Sequence, residues 1–222
     1  MSDLIVTPID SVYIKIDSEK GIAKELSDFF TFTVPNHQYT PAYRNKMWDG
    51  QIRLFNLYTR ILYRGLVDYV HQFASDRNYK ISDSTPSPDK IPISQIEKFV
   101  ESLNLHAHGN KIKPYDYQIN AIEHAVNNER CLLLSPTGSG KSMIIYSLIR
   151  LYDKILSPDK KILIIVPTTG LVSQMYNDFK DYSSKYNWDV EKECHVIFSG
   201  QDKVTNKRIV ISTWQSIYKM ND

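Results

Sequence analysis

The stretch that decides the fold is Cys131-Leu-Leu-Leu-Ser-Pro-Thr-Gly-Ser-Gly-Lys-Ser142. Cys131–Leu134 is an apolar run of strand length, and Lys141–Ile155 carries the apolar spacing of a helix. A loop between strand and helix with glycines at 138 and 140 suits a phosphate. Gly138 and Gly140 let the backbone curl until successive N–H groups face one anion. The helix that begins there turns its positive end to the same point. Lys141 adds an ammonium for the β- and γ-phosphates, and Ser142 offers a hydroxyl to Mg²⁺. Pro136, Thr137 and Ser139 complete the cradle. The pattern is G-x-x-x-x-G-K-[ST] with Ser135 in the first position. The alternative is a glycine-rich turn that caps a helix, and the flanking strand and helix weigh against it.

Outward from this loop, strands and helices alternate. Pro114–Asn127 is expected as a helix with Pro near its first turn, and Ile96, Phe99, Val100 and Leu103 as a short connecting helix. Downstream come a buried strand at Lys161–Val166, a helix at Leu171–Tyr182, and strands at His195–Phe198 and Arg208–Ser212. Continuous apolar strands between helices imply a parallel sheet covered on both faces. Upstream, Ser82–Pro92 holds three prolines and no period, and reads as a linker. Before it lies a small α/β unit of coarse order β-α-β-β-β-α-β. Its marks are alternation at Val12–Ile16, helical spacing at Ile22–Phe30 and Val67–Ala74, short strands at 51–55, 61–64 and 79–82, and a turn at Asn56–Arg60. The expected domains are residues 1–82, a linker with connecting helix at 83–112, and 113–222.

Composition bounds the rest. The chain has 222 residues, 42% hydrophobic and 23% charged, with a net charge of +2. That balance is globular, and the charge alone does not announce a nucleic-acid partner. No apolar run approaches the ~20 residues of a membrane helix, and the N-terminus lacks a secretory pattern. Cys131 and Cys194 form no disulfide framework and have no metal spacing, so a reducing cytoplasm is expected. His106 and His108 read as solvated loop residues and Cys194-His195 as strand residues.

Three further signals narrow the phosphate loop. Lys113-Pro-Tyr-Asp-Tyr-Gln118 lies upstream of Lys141, and a glutamine amide has the donor and acceptor to read the adenine edge. Alone, Gln118 reads equally as a solvated residue near a helix start. Pro167-Thr-Thr-Gly-Leu-Val-Ser-Gln174 and Ser212-Thr-Trp-Gln-Ser216 each follow a parallel strand, where open α/β sheets carry ligands. Their hydroxyls and amides suit a nucleic-acid backbone. Each alone also reads as a Thr or Ser helix cap.

In this order the signals resemble the first RecA-like domain of superfamily 2 helicases. Tyr117-Gln118 is similar to their adenine-recognising motif and Ser135–Ser142 to their phosphate loop. Pro167-Thr168 and Thr169, with Leu171 and Gln174, and then Thr213-Trp-Gln215, are similar to their strand-contacting motifs. Asn45-Lys-Met-Trp-Asp-Gly-Gln-Ile-Arg-Leu-Phe55 and Arg64-Gly-Leu-Val67 resemble the N-terminal domain of the UvsW-like phage helicases. The resemblance implies an ATP- and Mg²⁺-dependent helicase acting on branched DNA or RNA–DNA hybrids in recombination, repair and fork processing. It implies a DNA-contacting N-terminal module, a second RecA-like domain, and a place in the host cytoplasm if the chain is phage-encoded.

The N-terminal residues carry their own signal. Residues 1–90 are neutral overall, with 11 basic and 11 acidic side chains. Between Gln38 and Arg64, however, Arg44, Lys46, Arg53, Arg60 and Arg64 face one anion, Asp49, among six aromatics. Cations interleaved with aromatics suit phosphate neutralisation with base stacking or duplex-end wedging. The alternative is a solvated hairpin whose aromatics fill a core. Trp48 reads as core and Asp49-Gly50 as a tight turn.

No D-E-x-H or D-E-x-D sequence occurs, so the usual magnesium carboxylate and the water-activating glutamate have no counterpart here. The chain is therefore expected to be a portion of a longer protein, able to bind nucleotide and unable by itself to turn it over. The rivals are a nucleic-acid-binding module without motor activity, a P-loop small-molecule kinase, and the motor part of a restriction or repair nuclease.

Overall fold

The computed structural model describes residues 2–86, 89–128, 130–186, 188–198 and 203–218. Ser87 and Pro88 of the expected linker lie outside the described residues. The chain divides into two compact units, residues 1–87 and 88–222.

The first unit contains β1 (Leu4–Pro8), β2 (Tyr13–Ser18), α1 (Lys20–Phe29), β3 (Thr31–Thr33), α2 (Pro41–Arg44), β4 (Gln51–Arg53), β5 (Ile61–Tyr63), α3 (Val67–Asp76) and β6 (Ile81–Asp83). A four-stranded sheet runs β5-β2-β1-β6, with β1 antiparallel to β2 and parallel to β6. Strand alternation sends Leu4, Val6, Ile14, Ile16 and Leu62 to one face, where α1 (Ala23, Leu26) and α3 (Val70, Phe73, Ala74) cover them. β1 and β3 were not expected. Each presents three or fewer alternating positions, too few to stand out, and each exists through pairing with a more strongly marked strand. The Asn56–Arg60 turn is closed by Asn56, whose Oδ1 accepts from the N–H groups of Tyr58 and Thr59, both at 3.0 Å.

The second unit contains α4 (Ile93–Ser102), a β7–β8 hairpin (His106–Ala107, Asn110–Lys111), α5 (Asp116–Asn127), α6 (Lys141–Ile155), β9 (Ile162–Val166), α7 (Thr169–Tyr182), α8 (Val190–Glu193), β10 (Cys194–Ile197), β11 (Ile209–Thr213) and α9 (Trp214–Ile217). The strands form a parallel sheet, β10-β11-β9. Ile164, Val166, Ile209, Ile211 and Cys194 point to one face and pack with Tyr146 of α6 and Val172 and Phe179 of α7. The expected connecting helix is part of this core through Ile96, Val100 and Leu103.

Three expectations need correction. Pro114 stands outside α5, which starts at Asp116 after Tyr115 in extended conformation; Tyr115 takes the cap position because the Gln118 side chain, three residues on, accepts from its N–H. Cys131–Leu134 forms no strand. Leu132 and Leu134 are 79% and 88% exposed, because a strand exists only where a neighbour supplies ladder partners, and β10-β11-β9 does not extend to this run. The sheet is also not fully covered on both faces: Leu163 and Ile165, on the opposite face of β9, are about half exposed.

Candidate functional site

The loop Ser135–Ser142 keeps its curl through backbone conformations that favour glycine. Gly138 and Gly140 sit at φ 83° and 77°, and Gly140 is the N-cap of α6. At Gly140 a second constraint operates, since a Cβ there would lie 2.4 Å from Gln118 Nε2. Nothing lies within 4 Å of a Cβ at Gly138, so its requirement is conformational alone. Lys141 Nζ donates to the carbonyls of Ser135 (3.1 Å) and Pro136 (2.7 Å), lying across the loop. The Ser135 and Ser139 hydroxyls pair at 2.5 Å. These are the groups a triphosphate would engage in exchange.

Gln118 is placed against this loop. Its Nε2 donates to the Ser139 carbonyl at 2.9 Å, and its Oε1 accepts from the Tyr115 N–H at 2.9 Å. With 6% exposure, it acts here as a strut from the α5 N-terminus to the loop crest. Tyr117 Oη donates to the same carbonyl at 3.0 Å. The rings of Tyr115 and Tyr117 stack at 5.6 Å and 11° and remain exposed, a flat aromatic surface beside the loop. A cavity of about 810 Å³ opens there, lined by Tyr117, Leu133, Ser135–Ser139, Lys141 and Ile144.

Ser142 has partners that its motif does not reveal. Its hydroxyl is 2.8 Å from Tyr182 Oη at the end of α7, and the Asp178 carboxylate lies near it. Burial holds the Asp178 carboxyl above the ordinary carboxylate range, with the Ser142 hydroxyl pulling the other way. Burial likewise raises the Tyr182 phenol. The donor set suits Mg²⁺ carried by a nucleotide: one hydroxyl from Ser142, with phosphate oxygens and water supplying the rest. No group of three His, Cys, Asp or Glu that could hold a metal by itself occurs among the described residues.

The strand-end motifs meet. Val166 of β9 pairs with Thr213 of β11, so Pro167–Thr169 and Trp214–Gln215 leave the sheet side by side. Thr168, Thr169, Gln174 and Gln215 are exposed. Thr168 also caps α7, its Oγ1 accepting from the Leu171 N–H at 3.3 Å. Thr213 differs from its partners: it is buried, and its hydroxyl bonds Ser216 at 2.9 Å.

In the first unit the five cations are not alike. Arg53 is tied to Asp49 at 2.5 Å and to Gln51 Oε1 at 2.7 Å. Arg60 has one guanidinium nitrogen buried without a partner. Arg64 donates to the Pro86 carbonyl at 3.4 Å. Arg44 and Lys46 are exposed and line one cavity with Tyr43, Met47 and Trp48. Trp48 is half-buried and outside the hydrophobic core, contrary to expectation. Its Nε1 instead donates to the Gln51 carbonyl at 2.8 Å.

Residues 3–83 match the family "DNA helicase UvsW, N-terminal", and residues 111–222 match "Type III restriction enzyme, res subunit". The crystal structure of the UvsW helicase from bacteriophage T4 superposes with a TM-score of 0.87 at 31% identity, covering 99% of this chain and 77% of that one. The chain belongs to the UvsW helicase family. A second T4 UvsW crystal structure gives a TM-score of 0.88, with 99% of this chain and 44% of that chain covered. The "ATP-dependent DNA helicase uvsW" of Enterobacteria phage T4 is 34% identical over 213 residues, 95% of this chain and 42% of the relative. The "DNA 3'-5' translocase XPB2" of Sulfurisphaera tokodaii is 28% identical over 122 residues, 55% of this chain and 24% of the relative. The chain thus spans less than half the length of these curated relatives.

In this UvsW family member the loop Ser135–Ser142 stands at the start of α6, without the preceding strand its motif calls for, and the two Thr-containing segments stand at the ends of β9 and β11. Tyr182, Asp178 and Tyr115 were missed. Tyr182 lies 40 residues from Ser142, and no spacing rule links them. Tyr115 stacks on Tyr117 because it is extended at the N-cap of α5; within a helix, residues two apart do not face each other.

Proposed function

We propose that this chain forms the N-terminal module and first motor domain of an ATP-dependent helicase that remodels branched DNA or RNA–DNA hybrids. The observation that carries this reading is the loop Ser135–Ser142: two left-handed glycines at the start of α6, with Lys141 lying across the curl. It supports triphosphate binding through main-chain amides, Lys141 and the helix end. Lys141 neutralises charge on the β- and γ-phosphates, and Ser142 contributes its hydroxyl to the nucleotide's Mg²⁺. Tyr117 and Gln118 face the adenine side, with Gln118 releasing one of its two present partners to read the base. Thr168, Thr169, Gln174 and Gln215 hold the backbone of one nucleic-acid strand along the β9 and β11 ends, while Thr213 braces them from within. A second RecA-like domain supplies the opposing face, and the protein works in the host cytoplasm. Support comes also from the T4 relative, named an ATP-dependent DNA helicase. No helix among the described residues is long and apolar enough to cross a membrane.

Nucleic-acid-stimulated ATP hydrolysis and fork unwinding by the gene product test the reading. Lys141→Ala is expected to abolish both. Hydrolysis indifferent to nucleic acid, or to Lys141→Ala, overturns it.

A further inference from the structure

The Trp48-Asp49-Gly50 sequence builds more than a turn. Gly50 sits at φ 79°, and a Cβ there would lie 2.3 Å from His37 Cδ2, so the glycine admits the His37 ring. That ring is held by its Nδ1 contact with the Val34 carbonyl at 2.8 Å. It meets Tyr43 edge-on, 4.6 Å away at 79°. Thr40 Oγ1 accepts from the Tyr43 backbone N–H and so caps the short helix α2 that carries the tyrosine ring. Trp48 is pinned by its indole N–H on the Gln51 carbonyl. Asp49 is neutralised by Arg53, whose hydrogen bond holds the carboxyl below the usual carboxylate range. What remains is a cavity of about 670 Å³ with pinned aromatic walls and two exposed cations, Arg44 and Lys46. Neither cation makes an ion pair among the described residues. Lys46 is held at φ 55°, a left-handed conformation that is costly for a residue with a Cβ and that collects at ligand sites.

We propose that this pocket takes one unpaired nucleotide of a branched nucleic acid, with its base against Tyr43 and Trp48 and its flanking phosphates on Arg44 and Lys46. Every base offers a π-face to such walls, so recognition is indifferent to sequence. A base inside a duplex has both faces covered, so only an unpaired one can enter. The pocket would thus sense the single-stranded arm of a junction. The inference rests on the nucleic-acid reading above and gives the N-terminal unit a distinct part in it.

Fluorescence anisotropy on the full chain tests it with three labelled DNAs. These are a blunt duplex, the same duplex with a two-nucleotide single-stranded tail, and the tailed duplex with abasic tail residues. The tailed duplex is expected to bind about tenfold more tightly than the abasic one, the scale of one base–aromatic stack. Arg44→Ser with Lys46→Ser is expected to remove most of the tail's advantage and to lower the salt slope by between one and two. Tyr43→Leu is expected to erase the difference between base-bearing and abasic tails. The paired surface substitutions carry the test if Tyr43→Leu fails to fold, as judged by circular dichroism. Equal binding of the three DNAs, or retained discrimination in the variants, overturns the pocket and leaves the motor reading standing. Absence of DNA binding overturns the nucleic-acid reading as well. A glutamate-rich peptide that competes as well as the tailed duplex also overturns the pocket.

Discussion

Replacing Tyr182 by phenylalanine removes one hydroxyl and leaves the ring that packs on Tyr146 at 5.6 Å. The lost contact is the 2.8 Å bond to Ser142 Oγ. To serve a nucleotide's Mg²⁺, that serine hydroxyl must turn away from α7, so the bond competes with metal-nucleotide binding. A net protein hydrogen bond contributes about 0.5–1.5 kcal/mol. Its removal is expected to raise affinity for Mg²⁺-ATP by roughly 2- to 12-fold, since about 1.4 kcal/mol is tenfold. Affinity for ATP in EDTA should not change, because Lys141 and the loop amides are untouched. The free protein should lose the same increment of stability, a few degrees in melting temperature. Titration calorimetry with Mg²⁺ and with EDTA, beside a thermal melt, reads all three quantities. An unchanged or weaker Mg²⁺-ATP affinity refutes the competition and makes Tyr182 a prop that orients Ser142 for the metal. A parallel rise in EDTA refutes the assignment to the metal ligand.

Other perturbations separate loop, core and thiols. Gly140→Ala places a Cβ 2.4 Å from Gln118 Nε2 at φ 77°, so nucleotide affinity in calorimetry should fall at least tenfold while far-UV circular dichroism is unchanged. Arg150 is 4% exposed, bonds Tyr146 Oη at 2.9 Å, and lies 4.5 Å and 4.8 Å from the Trp188 and Tyr186 ring centres. Arg150→Ala should therefore cost about 2–4 kcal/mol in denaturant unfolding through lost packing and cation–π contact. Burial pushes the Cys194 thiol up to about 12, whereas Cys131 is exposed. A thiol reagent at pH 8 should label one cysteine in the native chain and two in denaturant; fast labelling of both contradicts the buried placement.

Legibility followed locality. Helices α1, α3, α4, α6 and α7 were readable because each repeats apolar residues at helical spacing and buries that stripe. β9 and β11 were readable because both are continuous apolar runs. Cys131–Leu134 misled for the same reason: apolarity marks what a residue can do in a sheet, while a ladder needs a neighbour. The left-handed conformations of Gly138 and Gly140 were legible because they follow from the chain's own curl. Gln118 reads as a candidate for the adenine edge or as a solvated residue near a helix start, and it is in fact buried against the loop. Its use of both amide ends, however, depends on where α5 docks, and no local pattern encodes that.

The cations between residues 38 and 64 show the limit most plainly. Counted in sequence they form one basic patch, and a patch predicts diffuse phosphate attraction. In the fold, local bonding divides them. Asp49 reaches four residues on to Arg53 at the end of β4. Arg64 turns to a backbone carbonyl. Arg44, at the end of a four-residue helix, and Lys46, in a left-handed bend, are directed outward beside fixed rings. A basic count is therefore an upper bound on binding charge. Arg60 keeps its unpartnered nitrogen buried, out of reach of a phosphate. The cations that matter for a ligand are the exposed ones whose neighbours leave them unpaired, and Arg44 and Lys46 share one cavity with Tyr43 and Trp48.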